Sequence, residues 1–288
     1  MPGRIKMRTI VLTAASMLCF SANSILCRLA LVQGEIDPGT FTTLRVLSAG
    51  LMLGLMVYLE RRRPPRLAQA KPLAVAALFA YLVFFSFAYK RVDAGSGALI
   101  LIGATQFSMF SIAFWEGERF NPAQLAGLGM ALFGFVYILL PGATAPDLLG
   151  AVLMALSGMS FGWFSLLARG VERPVEANAS IFHCCMLPAV AVNFLGVDEF
   201  TITPTGLMLA IASGAIATGF GYIAWFLALR DLPAARAATV QLSMPVLVAL
   251  GGAAFLSEPL TLRLLISTAA MLIGIALVLG QRVRGSNP

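Results

Sequence analysis

Ten stretches of mostly apolar residues, each near the ~20 needed to cross a bilayer as a helix, account for most of this 288-residue chain. They run Thr9–Val32, Pro38–Leu59, Pro72–Tyr89, Ala94–Trp115, Ala123–Leu140, Leu148–Ala168, Ala177–Val197, Thr205–Leu229, Ala234–Leu256 and Leu260–Gly280. Between them lie strong breakers, such as Pro64-Pro65, Arg173-Pro174, Leu232-Pro233 and Glu258-Pro259. The longest connection, Glu60 to Lys71, is too short for a soluble domain. Composition agrees: 59% of residues are hydrophobic and 11% charged, against roughly 45–50% and about 25% in soluble domains. A soluble enzyme, a disordered chain and a secreted disulfide scaffold are excluded. Continuous apolar runs of this length fit helices and not a barrel. The sequence therefore predicts an all-α polytopic membrane protein of ten transmembrane helices.

The first run follows Arg4, Lys6 and Arg8, like a signal peptide, but it is long and lacks a clear small-x-small cleavage site. The expectation is a retained helix. Cys19 and Cys27 share one run and Cys184 and Cys185 another, with no C-x-x-C spacing. They are read as small apolar packers, with no metal site and no disulfide.

The formal charge of +7 is unevenly placed. With the N-terminus inside, fifteen of the twenty basic residues fall in cytoplasmic segments and three in outer loops, while Arg28 and Arg45 lie within spans. The positive-inside bias puts both termini in the cytoplasm. The charge is thus an orientation signal against an anionic inner leaflet, and no nucleic-acid partner is expected.

Sliding the chain by 140 residues places Ala94 on Ala234, Glu118 on Glu258, Leu125 on Leu265 and Gly134 on Gly274. A shift of 141 places Phe20 on Phe161, Ser24 on Ser165 and Arg28 on Arg169. Each half has five spans, an odd number, so the second must cross the membrane upside down. The expected organisation is a first repeat over 1–145 and a second, inverted one over 146–288. Inverted repeats around a midplane site are an architecture of secondary transporters.

The 5+5 pattern, the basic N-terminus, Phe20–Arg28 repeated at Phe161–Arg169, Pro38 to Arg45 opening the second span, and the Glu118 and Glu258 turns together resemble the EamA-type branch of the drug/metabolite transporter superfamily. Within it the chain is most similar to bacterial inner-membrane exporters of aromatic amino acids. The resemblance implies a central cavity lined mainly by spans 1, 3, 4, 6, 8 and 9, with spans 5 and 10 peripheral. It implies export of a small molecule by alternating access, with the lipid bilayer as the other partner and no cofactor. Export of other neutral or weakly charged metabolites is the alternative.

Candidate site residues follow from the cost of polarity in hydrocarbon. Arg45, about 10 Å into span 2 at ~1.5 Å per residue, braces its neighbours, snorkels, or holds a substrate carboxylate. Arg28 and Arg169, near span ends, are expected to snorkel or cap. Asn23, Gln106 and Gln241 are neutral polar groups on spans the resemblance puts at the cavity; Asn193 is the fourth within spans. Trp163, Tyr81, Tyr222 and Phe85 are mid-span aromatics able to stack on a flat ligand, with Trp163 and Tyr81 foremost.

His183 is the sole histidine and the one candidate for a proton-linked role. No acid lies deep in any span, which argues against carboxylate proton coupling, and there is no G-x-x-x-x-G-K-[ST] loop for ATP. Gly50–Gly54 and Gly158–Gly162 are close-packing pairs, and Pro188 and Pro245 are expected to kink spans 7 and 9. Gly158-Met-Ser160-Phe-Gly162 also reads as G-x-S-x-G, so Ser160 with His183 would mimic a serine hydrolase. That motif needs a strand-to-helix turn, and here it sits inside an apolar helix. An enzyme is therefore not expected.

Overall fold

The computed structural model describes residues 7–115, 117, 120–168, 171–193, 200–229, 231–232, 237 and 240–281. These form ten apolar helices, which we number α1 Met7–Val32, α2 Pro38–Arg61, α3 Pro72–Tyr89, α4 Ala94–Trp115 and α5 Pro122–Leu139. The others are α6 Leu148–Leu167, α7 Pro174–Val192, α8 Pro204–Leu229, α9 Met244–Leu256 and α10 Leu262–Gln281. Nine are long and apolar enough to cross a membrane; α9 is shorter. The chain is a multi-pass membrane protein. Arg4, Lys6, Glu116, Glu118, Arg169, Asp198, Glu199, Arg230, Pro233, Ala234, Arg236, Ala238, Arg282 and Arg284 lie outside the described residues.

The helix starts are written into the sequence. Six helices carry proline at their first positions, where its missing N–H costs nothing. Side-chain caps add to this. Asp37 accepts from the Thr40 amide at 2.9 Å and Asp147 from the Gly150 amide at 2.8 Å. Thr203 accepts from the Gly206 amide at 3.0 Å, and Asn121 with Gln124 forms a reciprocal capping box.

Three spans depart from the sequence reading. The run expected over Ala177–Val197 starts earlier, at Pro174, and its helix ends at Val192, with Asn193 in a turn. Pro245 was expected to kink the interior of a span Ala234–Leu256. Instead the helix breaks at Leu242 and Ser243 and restarts at Met244, so Pro245 occupies a first-turn position. The proline is a starter, not a kink. Span 8 is continuous but wound in two ways: Ala212–Phe220 is π-helical between α-helical Pro204–Ile211 and Gly221–Leu229. Pro188 lies inside α7 as expected.

Packing follows a pattern. α3 lies against α6 and α8 against α1; α4 lies against α6 and α9 against α1. α2 pairs with α7, and α5 with α10. Each pair maps onto another, or onto itself, when every helix is exchanged for the one five places away. On one face the α1–α2 turn meets the segment before α8, where the Asp37 amide donates to the Thr201 carbonyl at 3.1 Å. The Thr203 amide donates to the Glu35 carbonyl at 2.9 Å.

Glycines let these seams close. Gly50 and Gly54 face Met186 and His183 of α7, and Gly158 and Gly162 face α4. A Cβ at Gly158 would stand 2.8 Å from the Ala104 Cβ and 3.1 Å from the Thr105 amide nitrogen, and closer still to the Leu101 carbonyl oxygen. Gly158→Val should therefore cost about 1–3 kcal/mol, as overpacking does, read as a lower unfolding temperature in detergent. Gly129→Ala is the control, because nothing lies within 4 Å of the added methyl. Equal melting temperatures for Gly158→Val and wild type would overturn this account of the seam.

Candidate functional site

A cavity of about 1000 Å³ runs into the bundle. Its mouth lies on the face that carries the α2–α3 and α6–α7 connections, where Gln69, Lys71, Glu172 and Arg173 line it. From there the wall passes Asn178 and Gln241 to a deeper zone of Phe20, Asn23, Arg45, Tyr81, Phe85 and Tyr222. Helices α1, α3, α4, α6 and α8 supply much of the wall, as the resemblance implies. α2 adds Arg45, and the first two turns of α7 add Ala177, Asn178 and Ile181. α10 contributes Leu279 and packs mostly on α5, with a smaller contact on α4.

The deeper zone is aromatic. Tyr81 meets Phe161 at 4.9 Å between ring centroids and Phe85 at 5.5 Å. Across the cavity Tyr222 meets Phe20 at 5.4 Å and stacks on Phe226 at 5.8 Å. Such faces accept a flat ligand by offset stacking.

Arg45 is 1% exposed, a full cation in the bundle. Its Nη2 donates to the Tyr81 hydroxyl at 3.3 Å, and its guanidinium carbon lies 4.5 Å from the Phe85 centroid. Its Nε and Nη1 have no hydrogen-bond partner, and none of the described carboxylates pairs with it. Buried donors are ordinarily satisfied. An unsatisfied guanidinium on a cavity wall is an anion-seeking group.

Asn23 ties α1 to the π-helical part of α8. Its Oδ1 accepts from Ser213 Oγ at 2.7 Å and from Thr218 Oγ1 at 3.4 Å. Residues five apart lie about 140° apart around an α-helix; the wider i→i+5 turn brings them to one side. The π winding is what lets one asparagine hold both hydroxyls. Gly214, in the same segment, packs directly onto the Arg45 carbonyl and the Ser48 hydroxyl of α2.

Of the residues the sequence singled out, Asn23, Arg45, Tyr81, Phe85, Gln106, Tyr222 and Gln241 all line the cavity. Trp163 does not. It is 44% exposed on the outer side of α6, and Phe161 takes the cavity position on that helix. His183 does not either: its Nδ1 donates to the Ala179 carbonyl at 2.6 Å and its ring packs on Gly54 in the α2–α7 seam. Ser160 sits mid-helix in α6, with no sharp turn and no bond to His183 among the described residues. Phe161, Phe20, Phe226 and Thr218 line the site without having been chosen.

Beyond the cavity, on the opposite face from its mouth, charges close the bundle. Arg28 Nε donates to Glu258 Oε1 at 2.9 Å, Nη1 to the Tyr89 carbonyl at 2.9 Å, and Nη2 to Asp93 Oδ1 at 3.1 Å. Glu258 Oε2 also accepts from the Ala94 amide at 2.7 Å. One guanidinium thus joins α1, the α3–α4 turn and the α9–α10 turn, where the sequence suggested snorkelling or a helix cap. Burial raises the Glu258 carboxyl above its ordinary value of 4.5, against the lowering influence of Arg28 and the Ala94 amide.

Among the described residues, an apolar bundle holds a large aromatic cavity with a buried cation on its wall, an arrangement suited to binding a small molecule. The EamA-like transporter family matches residues 7–140 and again 148–280. The chain belongs to the EamA-like transporter family. Several proteins resemble this EamA-like chain. An uncharacterized protein of Pseudomonas aeruginosa, PA1977, is 44% identical over 283 residues, covering 98% of this chain and 97% of that protein. A probable terminal-alkyne amino-acid exporter of Streptantibioticus cattleyicolor is 25% identical over 222 residues, covering 73% of each. A crystal structure with 21% identity covers 94% of this chain and 99% of its own, at a TM-score of 0.61, and supports the fold alone. Membership of the drug/metabolite transporter superfamily follows, and with it a transporter rather than an enzyme.

Proposed function

We propose that this EamA-like protein exports amino acids, aromatic ones above all, across a bacterial inner membrane by alternating access. The observation that carries the reading is the pairing, in one cavity, of aromatic faces with a buried guanidinium that has no protein anion to neutralise it. Tyr81, Phe85, Phe161 and Tyr222 would stack on the side chain, Arg45 would draw the carboxylate, and Asn23, Gln106 and Gln241 would bond polar ends. A relative named as a probable amino-acid exporter supports the substrate class.

The two halves, 1–145 and 146–288, form an inverted repeat in this reading, with both termini cytoplasmic. The exchange of packing partners five helices apart supports the repeat, and the placement of basic residues supports the orientation. The cavity mouth at Lys71 and Arg173 then faces the cytoplasm, as loading for export requires. The Arg28–Glu258–Asp93 cluster closes the outer end. No carboxylate lies deep in a span to couple protons, and His183 is outside the cavity, so the reading is transport without a carboxylate proton-coupling site.

Proteoliposomes holding the purified protein test this. Labelled phenylalanine and tryptophan should enter, compete with each other, and lose about tenfold in uptake with Tyr81→Ala, roughly the stacking energy removed. Trp163→Ala, on the outer surface, should stay within about twofold of wild type. Absence of amino-acid uptake by folded protein would overturn the proposal.

A further inference from the structure

We infer that the site selects net-anionic aromatic carboxylates, lacking a free ammonium, over zwitterionic amino acids, and that the membrane potential drives their export. This rests on the reading above, that the cavity exports aromatic amino acids, and narrows that class to derivatives whose amino group carries no charge.

The inference starts from charge. The only acid on the described cavity wall is Glu172, exposed at the mouth. Within the ten helices the sole acids are Glu60 and Glu176, both in turns at the mouth face, and Glu176 is paired with Arg61 and Arg173. The deep zone therefore holds one positive charge, on Arg45, and nothing of the opposite sign. Placed there, a substrate carboxylate lies beside a guanidinium whose Nε and Nη1 are unpaired and sealed in a low-dielectric wall, where attraction is strong. An α-ammonium a few atoms away meets the same cation as a like charge.

The neutral acceptors do not offset this. Asn23 Oδ1 already accepts from Ser213 and Thr218, and the Tyr81 oxygen accepts from Arg45. The Thr105 hydroxyl is turned to the Leu101 and Gly158 carbonyls. Gln106 and Gln241 offer amide oxygens, but a neutral acceptor does not cancel a charge. The ammonium would enter with its hydration lost and no counter-ion gained. Removing that positive charge, by acylation or by its absence, leaves an aromatic monoanion that satisfies the ring faces and Arg45 together.

The energetics of export then follow without a coupling group. A monoanion leaving an inside-negative cell moves down the electrical gradient, and 100 mV corresponds to an outward accumulation of about fifty-fold. A zwitterion gains nothing from the same field. The absence of a membrane-buried carboxylate, an obstacle for a proton-coupled exporter, is no obstacle for an anion uniporter.

Three related probes and the intact protein in nanodiscs and proteoliposomes test the proposal: N-acetyl-tryptophan (anion), tryptophan (zwitterion) and tryptamine (cation). N-acetyl-tryptophan should bind at least about tenfold more tightly than tryptophan, and tryptamine should bind most weakly. Its uptake should rise with an inside-positive potassium diffusion potential and fall with the opposite one, while tryptophan uptake stays level. Arg45→Gln should bring the anion and zwitterion affinities within about twofold of each other. The wild-type ranking stands as a test even where that variant fails to fold. Tryptophan binding as well as or better than N-acetyl-tryptophan overturns the inference and leaves the amino-acid reading intact. If folded protein neither binds nor moves any of the three, both fall.

Discussion

Replacing Arg45 with methionine should make the protein more stable and a far poorer transporter. A buried ion without a counter-charge costs several kcal/mol to desolvate. The Phe85 face and the Tyr81 hydroxyl return only part of that, about 1–2 kcal/mol together. Methionine keeps much of the stem's volume and removes the charge, so a gain of about 1–4 kcal/mol is expected, in line with buried ionic groups replaced by apolar ones. It would appear as a rise of several degrees in unfolding temperature. Affinity for carboxylate ligands should fall at least about tenfold. Arg45→Lys should lie between, keeping the charge but losing the planar fork. If Arg45→Met lowers the melting temperature and leaves transport unchanged, Arg45 is a brace for α2 and not a ligand-binding group.

Arg28→Ala should produce the largest loss of stability of any single substitution at the closed end. The side chains of Arg28 and Glu258 are each 12% exposed, so solvent screens their pair weakly. Truncation leaves the Glu258 carboxylate with the Ala94 amide and faces it towards Asp93 with no cation between them. Breaking a buried pair in this way costs on the order of 3 kcal/mol. Glu258→Gln should be far milder. Since the folded-state value of Glu258 is raised above the unfolded one, ionisation costs stability above that range. Folding stability from this group therefore rises as pH falls through the raised range towards 4.5. Glutamine mimics the protonated form and can still accept from Arg28. Thiol labelling of Ser24→Cys, in a protein otherwise free of cysteine, would read access to the cavity. An impermeant reagent from the closed side should react faster after Arg28→Ala and little faster after Glu258→Gln. Equal effects of the two substitutions would remove the ion pair from the account.

The helices were legible because a bilayer imposes length and prolines mark the starts. Pro72–Tyr89 and Ala94–Trp115 have the same bounds in sequence and structure, and most others differ by a residue or two. Rotation about each axis was harder to read. α6 is largely apolar all round, since lipid and an aromatic cavity ask for similar residues, and so the sequence pattern does not tell the outward Trp163 from the cavity-lining Phe161. The small-residue seam held the missing signal. Gly158 faces α4, and position 163 lies about 140° around the helix from it, away from the bundle. The same reasoning fails for α8, where nine residues leave the α period. Arg45, Tyr81 and Asn23 could be found because a polar atom in hydrocarbon must have a reason.

Those nine residues carry a mechanical consequence. A π turn holds more chain than the α turn it replaces, so α8 contains slack within an otherwise inextensible rod. Passing one residue of that slack along the helix turns whatever it crosses by about 100° while both ends stay anchored. Tyr222 and Trp225 stand immediately past the slack, and Gly214 inside it rests on the backbone of Arg45. The winding of those nine residues thus sets the rotation of the aromatic shelf and the seat of the cation together.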